Sequence, residues 1–228
     1  MARLWDLRKN ARCCEIIVGR RSAYRHRFGG KPTYSGLVPA CGGPPIHLLF
    51  TFDLSDPKVP FTQPNCPDLP LLYPFEYDGS RFAYKLDGPH GIVIVQQPAR
   101  DYTPGFPYDE YPEHFPHYPV SLSDHVGINR YFEDPFLREE LVHATSESQK
   151  LDDVDRVSLI EGLMQGPPRT ACPSPNCNGR PMMLLTILRG DLIDGMNFWS
   201  DSEWGPDVDI TYEVCPNCNV IYAENQCG

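Results

Sequence analysis

No window of this sequence approaches the eighteen or so uninterrupted apolar residues that a membrane-spanning helix needs, so no transmembrane helix and no membrane partner are expected. The opening residues, MARLWDLRKNARCCEIIVGRR, lack the apolar centre and small-residue cleavage site of a secretory signal, which predicts a cytoplasmic protein. Basic residues are the minority: 20 Lys+Arg stand against 30 Asp+Glu, a formal net charge of −10 over 228 residues. That balance argues against a broad nucleic-acid footprint, which needs clustered cations to displace counterions. Recognisable catalytic patterns are also missing. Gly29-Gly30-Lys31-Pro32 lacks the spacing of a phosphate-binding loop, and no nucleophile elbow precedes Ser121, Ser123 or His125. His114 and His117 flank Pro116, which forbids the helical face that would aim both at one ion. No catalytic residue is assigned and no enzyme is proposed.

Proline and glycine are plentiful, at 25 and 18, and the apolar runs are short and rich in β-branched and aromatic residues. Strands joined by ordered loops are therefore expected. Charge is unevenly spread. Residues 1–31 carry nine basic residues against Asp6 and Glu15, a net of +7, which leaves −17 for everything after Lys31. The stretch from Asp101 to Glu161 holds fourteen acids and four bases. Either the basic head folds against the acidic body, or the acidic face docks a basic protein, since complementary fields speed encounter and select partners.

Nine cysteines, an odd number without a secretory signal, make a poor disulfide framework. The informative group is Cys172-Pro-Ser-Pro-Asn-Cys177 followed by Cys215-Pro-Asn-Cys218. Two close pairs on tight turns, one supersecondary unit apart, form the pattern of a closed four-thiolate site for structural Zn2+. Reduced core cysteines and a redox Cys215–Cys218 pair are the competing readings, and Cys227 is near enough in sequence to stand in for one ligand. Zinc here would stabilise folding and catalyse nothing.

The chain also resembles itself. Residues 41–49 read Cys-Gly-Gly-Pro-Pro-Ile-His-Leu-Leu and residues 177–185 read Cys-Asn-Gly-Arg-Pro-Met-Met-Leu-Leu, five identities in nine. Each copy is a turn feeding a buried strand, Phe50-Thr51-Phe52 in one and Thr186-Ile187-Leu188 in the other. Between the copies, Leu71–Tyr77 and Gly91–Val95 are strand candidates. The Pro/Tyr-rich segment 96–119 is expected to form a long loop that cannot pair as a central strand. Such loops serve recognition, or cover a sheet edge. Asp134-Pro135 opens an expected helix to about Thr145, and residues 150–165 form a second. The expected fold class is therefore α+β: β-rich, internally duplicated and pseudo-symmetric, with a few linking helices and a C-terminal zinc element. Residues 1–130 make the first half, 131–166 the helical connection and 167–228 the second repeat, packed as a single unit. Candidate partner-binding residues are Asp101, Tyr108, Asp109, Glu110, Tyr111 and Glu113 on the Pro/Tyr segment, with Asp201 and Glu203 on a later acidic loop.

Gly29-Gly30-Lys31-Pro32, the strand Leu48-Leu49-Phe50-Thr51-Phe52-Asp53-Leu54 and Leu71-Leu72-Tyr73-Pro74-Phe75 resemble the first half of YwqG-like proteins. Cys177-x-x-Arg180-Pro181-Met182, Phe198-Trp199, Trp204-Gly205 and Tyr212-Glu213-Val214-Cys215 resemble their cysteine-bearing versions, and are similar to the C-terminal domain of the programmed cell death protein 2 group. The resemblance covers about half the chain in two blocks. It implies a duplicated β-rich fold without established catalytic residues. The roles it implies are those of a bacterial immunity protein against a toxin, or of a chaperone-like binder of a basic ribosomal protein. A hydrolase or ligand-binding enzyme using the Pro/Tyr segment as a lid is the reading from a different class.

Overall fold

A computed structural model describes residues 12–14, 16–59, 61–77, 81–98, 111–123, 126–127, 171–180, 182–189 and 208–227. Twelve strands lie among them: β1 (Arg12–Cys13), β2 (Ile16–Val18), β3 (Arg27–Phe28), β4 (His47–Asp53), β5 (Asp68–Tyr73), β6 (Phe82–Asp87), β7 (Gly91–Gln96), β8 (Tyr118–Leu122), β9 (Val126–Gly127), β10 (Met183–Arg189), β11 (Val208–Val214) and β12 (Ile221–Cys227). They form two five-stranded sheets, β2-β8-β3-β4-β5 and β10-β11-β12-β6-β7, plus the small pair β1-β9. Every named strand pairing is antiparallel. The protein is strand-rich, and the single helical turn among the described residues is a 3-10 turn at Pro175–Cys177. The helices expected over 134–145 and 150–165 lie outside the described residues.

The strand β4 is buried at all seven positions: Leu48, Leu49, Phe50 and Phe52 fill the core, and His47, Thr51 and Asp53 are buried with them. One core joins the sheets: Phe28, Leu48, Phe50 and Leu71 from the first meet Phe82, Tyr84, Leu188, Ile210 and Tyr212 from the second. Tyr84 ties them further. Its Oη donates to Pro70 O at 2.6 Å and accepts from Leu72 N at 3.2 Å, so a phenol from β6 satisfies the outer backbone edge of β5. Because β6 also pairs with β12, chain from residues 1–130 and from 167–228 shares one sheet.

Two hairpins repeat each other closely. Strands β4 and β10 are each seven residues long and stand 136 residues apart. Leu48 and Phe50 pair with Leu72 and Leu71, passing over Leu49 in a bulge; Leu184 and Thr186 pair with Glu213 and Tyr212, passing over Leu185. The strands outside them differ, since β3 flanks β4 whereas β12 flanks β11. The likeness therefore belongs to the hairpins and not to the whole strand order.

One expectation needs correcting. The end of the Pro/Tyr segment does enter a sheet interior: Tyr118 and Pro119 begin β8, which lies between β2 and β3. Pro119 is tolerated because its carbonyl accepts from Gly19 N just where β2 has ended, and the next residue, Val120, supplies the N–H that reaches His26 O.

Candidate metal centre

The four expected ligands converge. The Sγ atoms of Cys172, Cys177, Cys215 and Cys218 all lie within 4.8 Å of one another. They are the one group of three or more Cys, His, Asp or Glu side chains among the described residues that could hold a metal ion.

Each pair sits on a knuckle built by local sequence. In the first, Cys177 N donates to Ser174 O, the chain turns through Pro175–Cys177, and Asn178 takes the left-handed conformation at φ 53°. Cys172 N then closes the loop on Arg180 O at 2.8 Å. In the second, Cys215 N donates to Val220 O, Asn219 N donates back to Cys215 O, and Asn219 is again left-handed at φ 55°. Both knuckles carry the string Pro-Asn-Cys-Asn, at 175–178 and 216–219. Asparagine tolerates the left-handed region better than other residues with a Cβ, so this string is the local code for the turn. Ala83, Val95, Met182, Val220 and Tyr222 pack around the sulfurs and keep water from most of the site.

Cys172, Cys177 and Cys215 are buried and Cys218 is partly exposed. All four are free of disulfides. Two sulfur–sulfur hydrogen bonds cross between the knuckles, Cys172 with Cys218 at 3.4 Å and Cys177 with Cys215 at 3.3 Å. Burial pushes the Cys172 thiol far above its ordinary value, against a backbone amide at Ser174 that acts the other way. The contact with Cys215, then burial, raises Cys177. At Cys215 burial also pushes upward, but the Asn217 amide, the Cys177 thiol and the Cys218 amide overcome it and bring the group down to about 7. Without a metal, Cys172 and Cys177 are thus held as thiols beside a more acidic Cys215. A dication would let Cys172 and Cys177 ionise, since a coordinating thiol loses its proton outright.

The site fits a tetrahedral thiolate metal. A metal–sulfur distance of about 2.3 Å places ligand sulfurs about 3.8 Å apart, close to the spacing present. Cys227 is not a substitute ligand. It lies six residues beyond Ile221 on β12 and pairs with Val208, about 20 Å along the strand from the knuckle. Cys66 is a core thiol donating to Gly88 O, whereas Cys41 is exposed.

Two histidines sit beside carboxylates elsewhere, and both are engaged. His26 Nε2 donates to Asp56 Oδ2 at 2.9 Å while its Nδ1 accepts from Asp53 N, so neither ring nitrogen is left to take a substrate proton. Asp53 in turn accepts from the backbone N and Nε of Arg25 and from the N and Oγ of Ser55. Burial opposes its ionisation, but these donors prevail and hold its carboxyl well below the usual carboxylate range. His47 Nε2 donates to Pro112 O at 3.0 Å, with Glu76 at 3.9 Å.

Among the expected partner-binding residues, Glu113 is exposed. Tyr111 is not available on the surface: it is 6% exposed, stacked on Phe75 at 5.2 Å and packed on His47 at 5.6 Å. Its ring anchors the segment to β4, so that expectation is corrected. Asp101, Tyr108, Asp109, Glu110, Asp201 and Glu203 lie outside the described residues. His114 and His117 are exposed. The residues that sequence reasoning missed are Asn178 and Asn219, and the repeated Pro-Asn-Cys-Asn string was the signal for them. No helix among the described residues is long and apolar enough to cross a membrane. No protein-family model, curated protein or solved structure matches this chain.

Proposed function

We propose that this chain is a non-catalytic protein-binding protein whose second hairpin is held by one structural zinc ion, and that it neutralises a basic toxin through an acidic surface. The observation that carries the reading is the donor set. Four thiolates, three of them buried, complete a tetrahedron and leave no position for a substrate or an activated water. Zinc is the metal that suits such a closed sulfur site, having no redox chemistry of its own. Both ring nitrogens of His26, and Nε2 of His47, are committed to hydrogen bonds within the fold, in keeping with a scaffold.

The binding half of the proposal rests on charge. Asp53 and Asp56 are buried and hydrogen-bonded within the fold, whereas Asp101 to Glu161 brings fourteen acids against four bases. Such a surface would occupy the positive groove of a nuclease-like toxin. The matched hairpins support descent from an internal duplication, as the YwqG-like resemblance implies.

The test is co-expression with a toxic protein encoded beside it. Restored growth is expected, and it is expected to be lost when Asp101, Asp109, Glu110 and Glu113 are changed together to Asn or Gln with zinc content and melting temperature unchanged. Growth rescue that survives this neutralisation would overturn the acidic surface. Failure to rescue, with a basic ribosomal protein kept soluble instead, would replace the immunity role by that of a chaperone.

A further inference from the structure

We infer that the cysteine cluster is a peroxide-responsive modification site: oxidation joins the two knuckles by disulfides across the site, Cys172 to Cys218 and then Cys177 to Cys215, and releases the metal. The inference rests on the proposed zinc, and goes beyond it. Its basis is which sulfurs touch. In sequence, Cys215-Pro-Asn-Cys218 looks like the natural redox pair. In the fold, each knuckle sends its sulfurs to the other one, with hydrogen-bonded contacts at 3.4 Å and 3.3 Å. A disulfide at about 2.05 Å therefore needs each crossing pair to close by little more than an ångström.

Exposure sets the order. Cys218 is the one ligand not buried, and the neighbouring Pro216 and Asn217 are exposed. Metal-bound Cys218 is a thiolate, the form that a peroxide attacks. Hydrogen peroxide transfers one oxygen, giving the Cys218 sulfenic acid and hydroxide. The Cys172 sulfur, its hydrogen-bonded neighbour, then attacks the Cys218 sulfur, forms the S–S bond and expels a second hydroxide. Summed, two thiolates, one peroxide and two protons give one disulfide and two waters. The sulfurs lose two electrons and the peroxide gains them. With two of four ligands gone, the metal is held by Cys177 and Cys215 alone, and a second peroxide joins that pair in the same way.

Disulfides across the site do what the metal did, holding the first knuckle to the second. The hairpin should therefore survive metal loss by oxidation, though not metal loss by chelation. Disulfides within each knuckle would leave the two knuckles unlinked and would predict the opposite.

The experiment uses the full-length purified protein with its zinc measured first. Roughly two equivalents of hydrogen peroxide per chain should release most of the zinc to a chromogenic chelator. Peptide mapping should find Cys172 joined to Cys218 early and Cys177 to Cys215 later. Far-ultraviolet circular dichroism should hold, and a thiol reductant with added zinc should restore the starting state. Ala171 through Cys177 can be left native while Cys218→Asp keeps a ligand and removes the attacked sulfur; this variant should bind zinc and release it several-fold more slowly. Metal-free wild type would sink the zinc reading. Zinc that is bound but retained under peroxide, or disulfides confined to 172–177 and 215–218, would overturn the inference and leave the zinc reading standing.

Discussion

The hairpin β4-β5 and the hairpin β10-β11 share strand length, register and bulge, yet they are locked by different chemistry. Residues 42 and 43 of the first turn have positive φ, and so do residues 178 and 179 of the second. Along β4 and β10 the two hairpins are offset by 136 residues. The closing pairs, Asp53 with Asp68 and Arg189 with Asp209, enclose loops five residues different in length, so along β5 the offset becomes 141. That places Tyr77 where the second hairpin has Cys218, and Cys41 where it has Cys177. In the first hairpin the Tyr77 hydroxyl lies 2.9 Å from Gly42 O and 2.6 Å from Pro44 O and clasps the turn directly. In the second, sulfurs from both limbs meet at one centre. In each case the chain leading into the first strand is clasped to the chain leaving the second, at the open end of the hairpin. The buried phenol sits in the large core, whereas the second hairpin, with a small apolar cluster at its knuckle, gathers four sulfurs.

The largest expected effect separates the two clasps. Removing the metal with a strong chelator, or changing Cys215→Ser, should forfeit a binding contribution on the order of 10 kcal/mol. Amide exchange should show β11 and β12 losing protection while β4 and β5 keep theirs. Equal loss in both hairpins would mean that the shared sheet, and not the local clasp, governs stability.

Glycine substitutions sharpen the contrast at smaller amplitude. A Cβ on Gly43, at φ 94°, would meet Tyr77 Oη at 2.7 Å and Cζ at 3.3 Å, and Tyr77 is buried. A Cβ on Gly179, at φ 64°, meets nothing nearer than Ala171 Cβ at 3.8 Å. Gly43→Ala should therefore cost about 3 kcal/mol, combining backbone strain with overpacking, against about 1 kcal/mol for Gly179→Ala. Urea midpoints of the two variants check the order. Tyr77→Phe should fall between them, at about 1–2 kcal/mol, because a phenol donates one proton and both carbonyls lose their neighbour. Zinc content should not change in any of the three.

Much of this was legible in the sequence, and what was not has physical reasons. The cysteine spacing announced the four-sulfur cluster because two close pairs on two turns can bring four sulfurs together. The Cys41 and Cys177 strings pointed to matching strands because turn and core residues are fixed by φ and by burial. Tyr77 was hidden, since its counterpart is found only through pairing register after a change of loop length. Pro119 misled because proline content counts against a strand wherever it falls, while the ladder asks only whether that one N–H is needed. Tyr111 misled in another way: a tyrosine in a proline-rich segment reads as a recognition residue, and here its ring fills a gap between Phe75 and His47.

The smallest effect tests whether pH reaches one hairpin and spares the other. Position 47 of the first hairpin, paired with Tyr73, is histidine; the matching position 183 of the second, paired with Val214, is methionine. Burial lowers the His47 pKa, against a hydrogen bond to Pro112 O that acts to raise it. The folded state therefore holds His47 neutral at a pH where the unfolded chain, titrating near 6.5, already binds a proton. Proton uptake by the unfolded state then favours unfolding, so stability should fall as pH drops below about 6.5, by at most about 1.4 kcal/mol per pH unit. Above that value the contribution is fully present. His47→Gln can still donate to Pro112 O and does not titrate. Urea midpoints of wild type and this variant should run parallel above neutrality and draw together as pH falls from 6.5 to 5. Amide exchange should place the wild-type loss at β4 and the 111–115 segment. A pH-dependent loss that appears first in β10 would show that the two hairpins share a single sensitivity despite their different locks.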